Sequence, residues 1–218
     1  MRLVANKWSK FSVLLGHAGA AKHIPNMRRF SASNLKAMLR QYAFVVAKPI
    51  IGTGGSSVLK IKKTGNRYLL HNSGSKRIYR SWKELFSTLN QIRKNRPFML
   101  QQGIDLATID GRPLDYRVKL KKMGRSWIIR AVVGRLARPG LFVTNLCQGG
   151  TLLKGTHALR RTFPASLVKS KFDTMCGVAR TCTMRLESRY PGIGMLGYDF
   201  GIDKKGNVWI FEVNTKPH

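Results

Sequence analysis

Leu196-Gly-Tyr-Asp-Phe-Gly-Ile-Asp-Lys-Lys-Gly-Asn-Val-Trp-Ile-Phe-Glu-Val-Asn-Thr-Lys-Pro217 is the stretch that decides the fold of this 218-residue chain. Two runs rich in β-branched and aromatic residues flank Asp203-Lys-Lys-Gly206, which is turn chemistry between hairpin strands. Pairing Ile202 with Asn207 leaves a four-residue turn and sets Asp199 opposite Ile210. The period of two then places Ile210, Glu212 and Asn214 on the Asp199 face. Diagonal neighbours across such a pair lie about 7–8 Å apart. That separation lets Asp199, Glu212 and Asn214 turn their oxygens towards one hard cation. Two carboxylates and an amide carbonyl are Mg²⁺ ligand types, and water and phosphate oxygens complete the shell. The same pattern also describes an ordinary hairpin with polar residues facing solvent. On this stretch alone both readings stay open.

The chain is 43% hydrophobic, enough for a substantial core in one domain or two small lobes. No uninterrupted apolar run reaches about 18 residues, so no membrane span is expected. The first 20 residues faintly resemble a signal peptide, but Gly16 and His17 break a short apolar core. Cys147, Cys176 and Cys182 are odd in number and lack a Cys-x-x-Cys pair. That argues against a disulfide framework or a zinc site and for a reducing compartment, the cytoplasm.

Forty Lys and Arg against nine Asp and Glu give a net charge of +31. A field of that sign draws polyanions: nucleic acid, anionic lipid, acidic polymers or nucleotide phosphates. The basic residues are spread along the chain, and no RNA-recognition, helix-turn-helix or zinc-finger pattern accompanies them. Sequence-specific nucleic-acid binding is therefore not expected. With so few acids present, Asp199 and Glu212 each need a reason to be there.

Taken in order, residues 5–24 can form a helix with Trp8, Phe11, Leu14 and Leu15 on one face. Ser31 or Ser33 caps a second helix. Ala43 to Lys48 reads as a buried strand, and Lys48-Pro-Ile-Ile-Gly-Thr-Gly-Gly-Ser-Ser57 as a glycine-rich turn after it. Its N–H groups could fold over phosphates beside the lysine, although a plain turn explains the glycines equally. Strands at 58–62, 67–71 and 77–79 follow, then a Ser81-Trp-Lys-Glu84 capping box opening a helix. Pro97 to Gln102 is a strand, with Gly103 as a hinge. Leu114 to Leu120 and Trp127 to Arg135 are strands, and Phe142 to Gly150 is a strand running into a polar loop. A helix spans about Pro164 to Ser188 and leads to the hairpin.

With these parts in order, the chain from about Tyr42 resembles the ATP-grasp superfamily, and most specifically its endospore coat-associated YheC/YheD-like branch. Four passages carry the resemblance: Lys48-Pro-x-x-Gly-x-Gly-Gly, Leu100-Gln-Gln-Gly-Ile104, Asp115-Tyr-Arg-Val118 followed by Arg135 and Thr144-Asn-Leu-Cys-Gln-Gly-Gly150, and Gly197-Tyr-Asp199 through Glu212-Val-Asn214-x-x-Pro217. The third passage is also similar to the ribosomal-protein glutamate ligases and tubulin-tyrosine ligases.

The resemblance implies an α+β fold of two α+β lobes holding ATP between them, without the Rossmann-like domain that usually precedes them. It implies an N-terminal helical segment at 1–42, an N-lobe at 43–100 and a C-lobe at 101–218. Lys48 would contact ATP phosphates under a loop including Gly52, Gly54, Gly55 and Ser56. The strand end from Gln101 would meet adenine through the backbone of Gln102, Gly103 and Ile104. Arg117 and Arg135 would steady the γ-phosphate or an acyl phosphate, with Asn145 lining that pocket. Asp199, Glu212 and Asn214 would hold Mg²⁺. Many relatives carry Glu and Lys where this chain has Gln101 and Gln102. The implied activity is ATP-dependent ligation of a carboxylate to an amine. The alternative is a non-catalytic protein of the spore layers, with its charge holding an anionic polymer.

Overall fold

The computed structural model describes residues 2–52, 57–72 and 75–217. The chain divides into two compact units, Pro25–Ile104 and the pair of segments Met1–Ile24 and Asp105–His218. The stretch expected as one helical segment, 1–42, is thus shared between them.

In chain order the elements are α1 (Lys7–Leu15), α2 (Ala18–Ala21), β1 (Met27–Arg29), α3 (Ala32–Gln41), β2 (Val45–Pro49), β3 (Leu59–Thr64), β4 (Arg67–Asn72), β5 (Ser75–Tyr79), α4 (Trp82–Arg93) and β6 (Phe98–Gln102). They continue with β7 (Thr108–Ile109), β8 (Arg112–Met123), β9 (Ser126–Leu136), a 3₁₀ turn (Leu146–Gln148), β10 (Thr151–Lys154), α5 (Gly155–Arg160), α6 (Ala165–Arg189), β11 (Met195–Ile202) and β12 (Val208–Asn214). Among the described residues no helix is long and apolar enough to cross a membrane.

The smaller unit is one sheet, ordered β1-β6-β2-β3-β4-β5, with α3 and α4 packed on it. Each helix starts where a serine satisfies an otherwise orphaned N–H: Ser31 accepts from Asn34 and Ser81 from Glu84. Alternation along the strands sends Val45, Ala47, Leu59, Ile61 and Leu100 into the core against Leu35, Leu85 and Leu89. It leaves Lys48 and Gln101 on the opposite face. Gly103 is set by packing: a Cβ there would come within 2.2 Å of the Phe44 ring, and its N–H donates to the Phe44 carbonyl at 2.9 Å.

The larger unit is a sheet ordered β10-β9-β8-β11-β12, with β7 paired to β8. Tyr116, Val118, Leu120, Tyr198, Phe200 and Ile210 are fully buried on its core face. The α6 helix buries Met175, Val178, Ala179, Cys182 and Leu186. Tyr198 OH and Thr183 Oγ1 share a hydrogen bond of 2.9 Å, which satisfies two polar groups inside that core.

Three sequence expectations are corrected here. The helix expected over 5–24 is two helices, because α1 closes at Gly16, whose N–H returns to the Leu14 carbonyl. Residues 142–145 form no strand; the segment turns through the 3₁₀ turn, and Gly150 packs so closely that a Cβ there would lie 2.8 Å from the Thr144 carbonyl oxygen and 3.1 Å from that of Leu136.

The hairpin register also differs from the expected one. Ile202 pairs with Val208, so the turn is one residue longer than expected. Asp203 Oδ1 accepts from the N–H groups of Lys205 (2.9 Å) and Asn207 (2.8 Å), which holds the longer turn. A one-residue slip should invert every later side chain. A bulge at Phe211 inverts them back, pairing Phe200 with Ile210 and Asp199 with Glu212. Ile210 therefore enters the core, whereas Glu212 and Asn214 return to the Asp199 face. Gly201 makes the bulge possible: a Cβ there would lie 2.3 Å from the Phe211 ring.

Candidate active site

Four strands of the larger unit bring their ionic residues to one sheet face. Asp115 on β8 lies opposite Arg135 on β9, and Arg117 lies opposite Asp199 on β11, which lies opposite Glu212 on β12. Arg135 Nε donates to Asp115 Oδ1 at 2.7 Å, and its Nη2 reaches Asp199 Oδ2 at 3.1 Å. Arg117 grips Asp199 with two bonds, Nε to Oδ1 at 2.8 Å and Nη2 to Oδ2 at 3.0 Å. Asp115, Arg135 and Asp199 are all buried, at 5%, 3% and 6% exposure, so these pairs are shielded from water and salt.

The two carboxylates that share Arg135 are driven apart. Burial is the largest influence on both and pushes the Asp115 carboxyl up against the pull of Arg135. At Asp199 the combined pull of Arg135 and Arg117 outweighs burial and holds the carboxyl below its usual range. Divergent environments for neighbouring acids are a common feature of catalytic sites.

The N-terminal helix contributes two cations that the sequence pattern did not single out. The buried residues of α1 are Lys7, Lys10, Phe11 and Leu14, an i, i+3, i+4, i+7 stripe. The expected stripe contained Trp8 and Leu15 instead, and Leu15 is 47% exposed. Lys7 Nζ lies 3.4 Å from Glu212 Oε1. Lys10 Nζ donates to the Val4 carbonyl at 2.8 Å, and Val4 N–H donates to Thr215 Oγ1 at 2.9 Å. The 7/10/11/14 spacing was available in the sequence, but lysines do not signal a buried face.

Burial draws the Lys10 ammonium down from 10.5 to about 8, against the attraction of Glu212. The unfolded chain therefore holds one more proton than the folded one between these values, and stability rises with pH across that window. The gap corresponds to roughly 3 kcal/mol at about 1.4 kcal/mol for each tenfold step. Urea midpoints at either end of the window should differ more for the parent than for Lys10→Met. An identical pH dependence in both proteins would exclude the effect.

Asn145 precedes the 3₁₀ turn and is half-buried. Its neighbour Thr144 is the residue whose side chain hydrogen-bonds Asp115, a contact the sequence did not suggest.

In the smaller unit Lys48 Nζ donates to Gln101 Oε1 at 2.7 Å, with both side chains buried. Gln101 Nε2 has no hydrogen-bond partner among the described residues. A buried orphan donor beside an ammonium suits an incoming acceptor such as a nucleotide oxygen or ring nitrogen. Not all of the expected adenine-reading backbone is open. Gln102 N–H donates to the Asn26 carbonyl (2.8 Å) and Gly103 N–H to that of Phe44 (2.9 Å), whereas Ile104 N–H makes no hydrogen bond among the described residues. Gly52 is described, with φ +149°. Gly54, Gly55 and Ser56 of the expected phosphate loop lie outside the described residues.

The donor set fits Mg²⁺. Asp199 and Glu212 are directly opposed, Asn214 shares their face, and Asp199 Oδ1 accepts one hydrogen bond where a carboxylate oxygen can take two. Among the described residues no three His, Cys, Asp or Glu side chains form a closed cage. An open set of one or two carboxylates suits Mg²⁺, which keeps waters and substrate phosphates in its shell.

A model of the YheC/D-like ATP-grasp family matches residues 2–218. The chain belongs to that family. It is 28% identical over 220 residues to the endospore coat-associated protein YheD of Bacillus subtilis, and 22% identical over 224 residues to YheC of the same organism. The matches take in 97% and 99% of this chain but 48% of YheD and 61% of YheC. Among solved structures, carboxyaminoimidazole ribonucleotide synthase from Aspergillus clavatus, complexed with ATP, superimposes with a TM-score of 0.61 at 11% identity, covering 100% of this chain and 46% of that one. D-alanyl-alanine synthetase A from Vibrio cholerae gives 0.56 at 11% identity, covering 98% and 55%. At such identities the likeness is one of fold: this is an α+β ATP-grasp chain.

Proposed function

We propose that this ATP-grasp chain binds Mg-ATP and joins a carboxylate to an amine. A substrate carboxylate oxygen attacks the γ-phosphorus, the bond to the β-phosphate oxygen breaks, and ADP leaves. The amine then attacks the acyl carbon, expels inorganic phosphate and loses a proton. The observation that carries this reading is Arg135, a guanidinium locked between two buried carboxylates on the face it shares with Arg117. A cation already fixed by its surroundings stabilises developing phosphoryl charge without reorganising. Arg117 and Arg135 would take the γ-phosphate and then the acyl phosphate, with Lys7 adding charge beside Glu212.

Lys48 and the Gln101 amide would hold the nucleotide in the smaller unit. Asp199, Glu212 and Asn214 would bind Mg²⁺, which when present neutralises phosphate charge. No side-chain nucleophile is required. Burial pushes the Cys182 thiol up to about 12 and raises that of Cys176, so neither thiol is poised to attack.

The test is ADP release by the purified protein across a panel of amino acids and peptides, with Mg-ATP melting shifts measured alongside. Ligand at a hundred times its dissociation constant stabilises by about 2.7 kcal/mol. Lys48→Ala should abolish most of that shift. No shift in the folded parent protein would overturn the nucleotide reading.

A second reading is a non-catalytic role in a spore layer, binding anionic polymer. The net charge of +31 and the coat-associated names of YheD and YheC favour it. Mg-ATP binding without ADP release on any acceptor would decide for it.

A further inference from the structure

We propose that Lys119 and Lys121 form a docking stripe for an extended acidic polypeptide, which would be the carboxylate-bearing substrate of the ligase reading and for that role rests on it. Strand β8 runs through the middle of its sheet, between β9 and β11. Val118 and Leu120 are fully buried on the core face, so Arg117, Lys119 and Lys121 share the opposite face with Asp199 and Arg135. The stripe therefore begins at the proposed phosphoryl-transfer residues and leads away from them along one strand.

The charge balance changes along this line. At the site end, Asp115, Asp199 and Glu212 are matched by Arg135, Arg117 and Lys7. Further along, Lys119 sits between Gly197 and Ala131, and Lys121 between Met195 and Ile128. None of these neighbours is acidic, and among the described residues neither lysine makes an ion pair. Pro217 packs on Gly197 and bounds the stripe on the β11 side. Beyond it, Ile128 and Met123 are 43% and 47% exposed, which leaves apolar surface beside the cations.

Spacing and surroundings identify the occupant. Alternate residues of a strand stand roughly 7 Å apart, and so do alternate side chains of an extended peptide. Carboxylates on every second residue would meet successive cations. Single-stranded nucleic acid would need aromatic faces on which to stack its bases. Trp127, on the same hairpin, pairs with Lys122 on the other face, where its Nε1 donates to Glu187 at 2.7 Å.

The test measures anisotropy of a fluorescein-labelled peptide of alternating Glu and Ala at low salt, using the whole chain. The parent protein should bind it more tightly than a peptide of equal composition arranged as a Glu block and an Ala block. The double variant Lys119→Gln/Lys121→Gln should lose about tenfold in affinity. The control Lys62→Gln/Lys63→Gln, exposed on β3, should change it by less than about twofold. Absence of peptide binding, equal losses in the two double variants, or single-stranded DNA of equal charge bound as tightly through the same lysines would each overturn the stripe. Peptide binding through the stripe with no ADP release would retain the stripe and overturn the ligase reading. ADP release on carboxylate substrates without acidic side chains, unchanged in the stripe variant, would do the reverse.

Discussion

Arg135→Met is expected to destabilise the larger unit by about 3–5 kcal/mol. The substitution preserves most of the side-chain bulk, so the loss reports charge rather than a cavity. Asp199 keeps the two bonds from Arg117, but Asp115, at 5% exposure, keeps only Thr144. A buried carboxylate without a cation is costly, and its remedy is to take a proton.

The pH dependence follows from that. In the variant the Asp115 carboxyl is raised above its unfolded value, so its contribution is intact below the unfolded pKa and is lost as pH rises through the folded one. The gap between parent and variant should narrow as pH falls towards the ordinary carboxylate range. Arg135→Lys keeps a charge but loses the fork that spans two carboxylates, and should fall between them. Asp115→Asn combined with Arg135→Met should be less damaging than Arg135→Met alone, because no charge is then stranded. Denaturant unfolding measures all four proteins. A loss under about 1 kcal/mol for Arg135→Met would show that the buried cluster is not an ionic core.

On the proposed ligase reading, Glu212→Gln should reduce ADP release by at least about a hundredfold, because the deleted charge would support a cation whose effect is greatest in the transition state. On sequence alone this variant is expected to fold unchanged. The structure alters that expectation: Glu212 is the counter-ion of Lys7, whose side chain is 6% exposed. Glu212→Gln takes this counter-ion from a buried ammonium and should lower stability by roughly 1–3 kcal/mol before any nucleotide is added. Adding Lys7→Met to Glu212→Gln should restore most of the stability but not the Mg-ATP melting shift. That pair of outcomes separates the structural role of Glu212 from its proposed metal role. A Glu212→Gln protein that binds Mg-ATP as well as the parent does would sink the metal assignment.

Much of the fold follows from local chemistry. Ser31 and Ser81 cap α3 and α4 because a hydroxyl three residues upstream of a free N–H needs no tertiary help. The strands from Val45 to Gln102 and the β8–β9 hairpin follow from alternation, since a sheet with one buried face demands it. The family was legible for a related reason: Lys48, Asp115, Arg117, Arg135, Asp199, Glu212 and Asn214 stand at intervals that element lengths fix along the chain.

Local sequence therefore encodes which residues belong on strands and helices, and which polar ones break an apolar pattern. Tertiary structure alone decided which of them meet. Turn length and a bulge at Phe211 return Glu212 and Asn214 to the Asp199 face, and they do so only because Gly201 leaves room for the Phe211 ring. The inner face of α1 carries Lys7 and Lys10, contrary to any apolar pattern, because Glu212 and the Val4 carbonyl await them. Arg135 is shared between Asp115 and Asp199 only once β8 lies between β9 and β11. Periodicity encodes which way a side chain points. It does not encode the partner that makes burying a charge tolerable, because that partner comes from a distant part of the chain and meets it only when the sheet has formed.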